Sequence, residues 1–365
     1  MMACCGNHIL ISPPTRTLIP FLPPYLNTAS SANPPPRNHT SLSSSQPFLH
    51  SRRLSISSSA ADTVPNLDVS PSTSTQWSEF AQNVSGEWDG FGADFTSLGN
   101  PIELPESVVP EAYREWEVKV FDWQTQCPTL ADPHHENLLS YKIIKLLPTV
   151  GCEADAATRY SIDERNVGGV DNGVSAFAYQ SSGCYVAVWP IEEDDGVCKL
   201  LELEHCLIDP QNRESRVRII HVIRIDEGSK FVLKNIRIFR EQWCGPFRNG
   251  EQLGGCAIRD SAFASLNATK SSEVTGIWEG RHAVATFDGS HASNFCKLLD
   301  GGLRKSTRDE SNLILLPKQL WCSLREKDGQ TSCEVGWLLD SGHAITSTCI
   351  FTPDGKLKAS FLMHS

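Results

Sequence analysis

The chain has 365 residues, 40% of them hydrophobic, and a formal charge of −11. That composition belongs to a folded globule, far from the low-hydrophobicity, high-charge chains that stay disordered. The negative surplus repels phosphate backbones and anionic bilayers, which argues against nucleic acid as a partner and against docking on membranes through basic residues.

The charge is unevenly spread. Residues 1–61 contain no acid and four arginines (Arg16, Arg37, Arg52, Arg53), so the remainder carries −15. This opening stretch is rich in Ser and punctuated by Pro13, Pro14, Pro20, Pro23, Pro24, Pro34, Pro35, Pro36 and Pro47. Each proline removes a helix donor and clashes with the preceding turn, so the amphipathic helix of a mitochondrial presequence is disfavoured. Residues 1–61 therefore read as a chloroplast transit peptide cleaved near Ser59–Ala61, with the stroma as the expected address. No run approaches the ~20 apolar residues that cross a bilayer, so no transmembrane segment is expected.

Residues 62–76 read as a flexible leader. Trp77, Phe80, Ala81 and Val84 then follow i, i+3, i+4, i+7 spacing, which predicts one or two amphipathic helical turns. Gly86-Glu-Trp88-Asp-Gly90 comes next, and from Tyr113 the two-residue period of strands takes over. Strands are predicted at 115–120, 141–147, 174–179, 184–189, 199–208, 216–225 and 230–240. Gly228, in Asp226-Glu-Gly-Ser229, marks the hairpin between the last two. Residues 250–270 read as a linker between a first β unit (77–249) and a second, smaller one (271–365).

The second unit opens as the first does. Gly276-Ile-Trp278-Glu-Gly280 repeats the earlier motif 190 positions on. Strands are predicted at 279–287, 312–316, 320–326, 332–339, 344–352 and 356–362, with hairpin turns at Asp328-Gly329 and Asp354-Gly355. Strands joined by short turns, without long helices between them, predict a mainly β protein built from two up-and-down antiparallel barrels in tandem.

Eleven cysteines follow the leader, and no CxxC pair occurs among them. The usual zinc and dithiol spacings are missing, so they read as small buried hydrophobes. Asp132-Pro-His-His-Glu136 holds ligand-type residues, but adjacent histidines point apart and match no zinc spacing, so no metal site is assigned. There is no GxSxG elbow, and Gly168-Gly169 and Gly301-Gly302 lack the strand and helix of a phosphate loop.

The paired Gly-x-Trp openings resemble the lipocalin and calycin superfamily, with Gly86, Trp88, Gly276 and Trp278 as barrel plugs. A plugging indole buries a large apolar area while its N–H needs a partner. Leu315-Leu-Pro-Lys318, Cys333-Glu-Val-Gly-Trp-Leu-Leu339 and Thr352-Pro-Asp-Gly355 resemble closing strands of uncharacterised plastid and cyanobacterial calycin-like proteins related to S/T-type bilin lyases. Ile238-Phe-Arg-Glu241 with Trp243 is similar to their final strand.

The resemblance implies a barrel that holds a hydrophobic ligand, such as a tetrapyrrole or lipid. It equally implies a filled barrel that serves assembly of photosynthetic complexes by contacting a plastid protein, or a lyase-like enzyme. It also implies an arginine stacked on each tryptophan: Arg237 or Arg240 in the first unit, and none in the second, whose cavity would then be degenerate. The candidate ligand-facing residues are His221, Arg237, Arg240 and Glu241. His221 shares an apolar face with Val217, Ile219, Ile223 and Ile225, where a lone histidine is ordinarily a hydrogen-bonded core residue. Arg216, Arg218 and Arg224 lie on the opposite face, expected to be solvated or at the barrel mouth. Arg240 and Glu241 could equally be a surface ion pair. No catalytic residue is assigned.

Overall fold

The computed structural model describes residues 73–149, 158–191, 199–226, 229–251, 262–287, 294–339 and 342–365. The transit-peptide assignment and the positive φ expected at Gly228 lie outside these residues. Helix α1 (Thr73–Val84) buries Trp77, Phe80, Ala81 and Val84, the four residues whose spacing predicted it. The Trp77 indole donates to the Asp132 carbonyl (2.6 Å), and Phe80 packs edge-on against Phe177 and Tyr185.

The chain then forms strands β1 (Glu87–Thr96), β2 (Asp122–Gln126), β3 (Thr129–Ala131), β4 (Leu139–Leu146), β5 (Arg159–Val167) and β6 (Ala176–Tyr179). After them come β7 (Tyr185–Ile191), β8 (Lys199–Ile208), β9 (Ser215–Ile225) and β10 (Phe231–Gly245). A short helix α2 (Glu111–Glu115) stands where a strand at 115–120 was expected. Pro110 starts that helix and Glu117 takes φ 54°, so Trp116 and Val118 are left exposed on no sheet.

In the second half, α3 (Ser271–Val274) precedes β11 (Gly276–Thr286), β12 (Phe295–Lys297), β13 (Leu299–Arg308) and β14 (Leu313–Leu316). The chain ends with β15 (Leu320–Lys327), β16 (Gln330–Leu338), β17 (Ala344–Phe351) and β18 (Leu357–His364). Asp328 and Gly329 both have positive φ, as the two-residue turn between β15 and β16 requires.

Two sheets result. The larger runs β12-β6-β7-β8-β9-β10-β1-β2-β4-β3, with β5 also on β4; the smaller runs β13-β11-β18-β17-β16-β15-β14. Neither order closes on itself among the described residues, so the expected pair of closed barrels is replaced by two curled sheets with edges. Nor are the halves separate in the larger sheet: β12, from the second half, pairs parallel with β6.

Both sheets bend strongly. In a flat sheet β4 and β8, five spacings apart, would be about 24 Å from each other. Instead Tyr141 on β4 donates to Glu204 on β8 (2.5 Å). Likewise β13 and β16, about 19 Å apart if flat, are joined by Arg308 and Glu334 at 2.7 Å. The outer faces pack together: Ile219 and Ile223 share one buried cluster with Val335, Ile345 and Cys349. His205 meets the Ser347 hydroxyl at 2.9 Å and Phe231 packs on Phe351.

The repeated motif has repeated geometry. Gly86 and Gly276 both have positive φ (143° and 120°). The Trp88 indole donates to the Val84 carbonyl (3.0 Å) and the Trp278 indole to the Val274 carbonyl (2.8 Å). A Cβ on Gly90 would overlap the Arg240 carbonyl, and one on Gly280 would overlap that of His364. Gly90→Ala and Gly280→Ala are each expected to cost about 1–3 kcal/mol or more, because the obstacle is backbone and cannot rotate away. Urea unfolding of the two variants measures this; wild-type midpoints would show that the strands do not approach so closely.

Candidate functional site

The concave face of the larger sheet is built from alternate residues of β8, β9 and β10. Arg216 and Arg218 of β9 point inward beside Glu241, Phe239 and Arg237 of β10 and Glu202 and Glu204 of β8. Room for them comes from β1, where Gly90 and Gly92 lie opposite Glu241 and Phe239. The result is a buried ionic network, not an apolar cavity.

Glu204 is its centre and has no solvent exposure. It accepts from Tyr141 (2.5 Å), Tyr185 (2.9 Å), Trp189 (3.2 Å), Arg218 (3.0 Å) and Arg165 of β5 (3.3 Å). Glu241 takes Arg216 Nε (2.7 Å) together with Nε and Nη2 of Arg218 (3.0 and 2.8 Å). Glu202 takes Arg165 (2.5 Å) and Arg237 (2.6 Å). Although burial alone would raise both carboxyls, the adjacent guanidinium groups hold Glu204 and Glu241 below the ordinary carboxylate value. Burial, with the negative charge of Glu204 beside them, pushes the Tyr141 and Tyr185 phenols upward, so they stay protonated donors.

The arginine over the Trp88 ring is Arg216, at 4.2 Å, rather than Arg237 or Arg240. Arg237 instead sits at the rim of the network, bridging Glu202 and Asp94. Glu241 is inside the network. His221 and Arg240 project from the opposite faces of β9 and β10, toward the smaller sheet. There His221 meets His205 (ring centroids 5.7 Å) and Arg240 lies over Trp337 (5.9 Å). Burial alone drives the His221 pKa down to about 4, leaving it neutral at physiological pH. Thus two of the four candidates, Arg237 and Glu241, come together, and the sequence reading passed over Glu204, Arg165, Arg216 and Arg218 as site residues.

The smaller sheet repeats the theme with fewer charges. Arg308 of β13 lies between the Trp278 and Trp321 rings (5.7 and 5.4 Å), and its Nε donates to Glu334. The stacked arginine expected to be missing is therefore present, supplied by the strand beside the plug. Trp278, His282, Phe361, Thr348, Ile350 and Leu313 on this concave face are all only partly buried. Trp321, Thr346 and Met363 on the same face are buried, so this face is partly open, whereas the larger sheet's is lined by its ionic network.

Other features are less developed. Asp132 accepts the His134 and His135 amides and pairs with the His135 ring (2.8 Å). No three metal-ligand side chains cluster among the described residues. A surface cleft of about 250 Å³ lies beside Leu130, Leu138, Asn166 and Gly168, below the ~300–1,000 Å³ of ordinary small-molecule sites. No described helix is long and apolar enough to cross a membrane.

No family model matches the sequence, and no curated protein matches it. A crystal structure of a DUF3598-family protein of unknown function, from the cyanobacterium Nostoc punctiforme, is similar in structure. It is 12% identical, with a TM-score of 0.46, over 79% of this chain and 97% of that one.

Removing the central carboxylate should be severe. Glu204→Gln leaves Arg218 and Arg165 short of charge in a dry interior, an expected loss of about 3–5 kcal/mol at neutral pH. Because the folded-state pKa of Glu204 is lowered, its contribution is full above the ordinary carboxylate value and disappears as pH falls through the lowered one. The gap between wild type and variant should accordingly narrow in acid. Denaturant titrations at several pH values measure it, and a small, pH-independent gap would refute the assignment.

Proposed function

We propose that this is a chloroplast binding protein for a hydrophobic ligand, such as a tetrapyrrole or lipid, and that the ligand lies on the concave face of the smaller sheet. The carrying observation is the contrast between the two concave faces. In the larger sheet the long side chains of Arg165, Arg218, Tyr141, Tyr185 and Trp189 converge on Glu204 and occupy the interior. In the smaller sheet Trp278, Phe361, Ile350 and Leu313 remain partly exposed along a bent surface. Apolar and aromatic walls with a few fixed polar groups are what small-molecule sites offer. The acid-free, proline-rich residues 1–61 support a plastid address.

A binding role is preferred to catalysis. In the ionic network Glu204 and Glu241 are held ionised by the adjacent guanidinium groups, and the Tyr141 and Tyr185 phenols are held protonated by burial and by Glu204, which suits these four to structure rather than to proton transfer. The network-lined interior also suits a second reading, an assembly factor that contacts plastid proteins. That reading draws on the exposed Leu299 and Leu303 of β13, a strand at the edge of its sheet.

Titrating the protein with tetrapyrroles and plastid lipids while following tryptophan fluorescence tests the ligand reading. Quenching is expected, with affinity reduced about tenfold or more by Trp278→Leu and unchanged by Tyr185→Phe. Absence of binding across the panel, or equal loss in both variants, would reject it.

A further inference from the structure

The concave face of the smaller sheet carries a charge pattern at odds with the rest of the chain. The protein as a whole is at −11. Yet this face brings together Arg304, Arg308 and Arg325, against Glu334 and the exposed rim residue Asp309. Pairing places them on one side of the sheet: Ser323 lies opposite Glu334 and Arg325 opposite Ser332, and Arg308 reaches Glu334 across the bend.

The guanidinium groups are incompletely used. The Arg308 side chain is only 2% exposed. Its Nε serves Glu334, but Nη1 and Nη2 are buried and donate to no group among the described residues. Arg325 Nε and the Ser306 hydroxyl are buried and unpartnered in the same way. Arg325 reaches Asp309 only at 3.9 Å, beyond hydrogen-bonding distance. Buried polar groups are nearly always satisfied, and each unpaired one calls for an explanation such as a bound partner. In the larger sheet, by contrast, Arg165 and Arg218 each meet more than one carboxylate, where Arg308 meets one.

From this we infer that the smaller sheet's concave face is an oxyanion site, which takes the carboxylate or phosphate head of an amphiphile between Arg308 and Arg325. The apolar body runs along Trp278 and Phe361. The inference rests on the binding role proposed above and specifies its ligand class. Two guanidinium forks match a planar carboxylate or a phosphate by paired N–H donors. Ser306 Oγ, on the same strand and face as Arg308, adds a hydroxyl donor. Trp278 opposite Ser306 supplies the adjoining aromatic wall. Arg304, exposed and stacked over Phe361 at 4.5 Å, draws anions toward this face.

Calorimetric titration of the full chain with dodecanoate, dodecyl phosphate and dodecanol, each below its micellar concentration, separates the alternatives. The expected result is binding of at least one anion, with the alcohol weaker by tenfold or more; whichever anion binds more tightly identifies the source of the head group. Arg325→Gln should weaken the anions at least fivefold and leave the alcohol and the melting temperature unchanged, with Arg325→Lys recovering part of the loss. Equal affinity for alcohol and anions would overturn the oxyanion site while leaving the apolar-ligand reading intact. Anion binding untouched in Arg325→Gln would overturn it too, and no binding by any of the three would reject both.

Discussion

Five donors drawn from four strands converge on a single buried carboxylate, and the shape of the larger sheet depends on that meeting. Tyr141 and Arg165 come from β4 and β5, Tyr185 and Trp189 from β7, and Arg218 from β9. Strands so far apart in pairing order can touch only if the sheet curls, and once curled the charges cannot reach water. Each must then be answered within the protein, because an uncompensated buried charge costs several kcal/mol. Three buried arginines, Arg165, Arg216 and Arg218, with Arg237 at the rim, face Glu202, Glu204 and Glu241 and meet that condition.

The two halves begin alike and end differently. Val84, Gly86, Trp88 and Gly90 have counterparts at Val274, Gly276, Trp278 and Gly280 in position, backbone conformation and indole hydrogen bond. Each tryptophan also receives a stacked arginine, but from strands at different places in the order: β9 for Trp88 and β13 for Trp278. A common way of starting a curled sheet is thus compatible with a network-lined interior in one half and a partly open one in the other. The motif specifies how the chain enters. What fills the interior is decided by the later strands.

Much of the fold was legible in the sequence because alternation and turn chemistry are local. The predicted strands at 199–208 and 216–225 nearly coincide with β8 and β9, and the helical turns before Trp88 were readable from four apolar positions. What failed was the choice of face. On β9 both faces are buried, so alternation separates arginines from aliphatics without saying which set points inward. The apolar face that includes His221 serves the contact between sheets, and the arginine face supplies the interior. Glu204 was hidden for a related reason: alternating acids in Leu201-Glu-Leu-Glu204 look like a solvated face unless their distant partners are known. β5 and β13, polar and largely exposed, lacked the apolar alternation by which strands are found, and β13 is the strand that carries Arg308.

The two concave faces therefore use charge differently: Arg165 and Arg218 in the larger sheet each meet two or more carboxylates, while Arg308 in the smaller meets Glu334 through Nε alone. The curl itself is the premise of both descriptions, and a double-mutant cycle between Arg165 on β5 and Glu202 on β8, joined at 2.5 Å, tests it most directly. Unfolding free energies of Arg165→Met, Glu202→Gln and the double variant should show a coupling of about 1.5 kcal/mol or more, as for contacting buried partners. Simple additivity of the two single changes would mean that these strands do not meet, and would contradict the account.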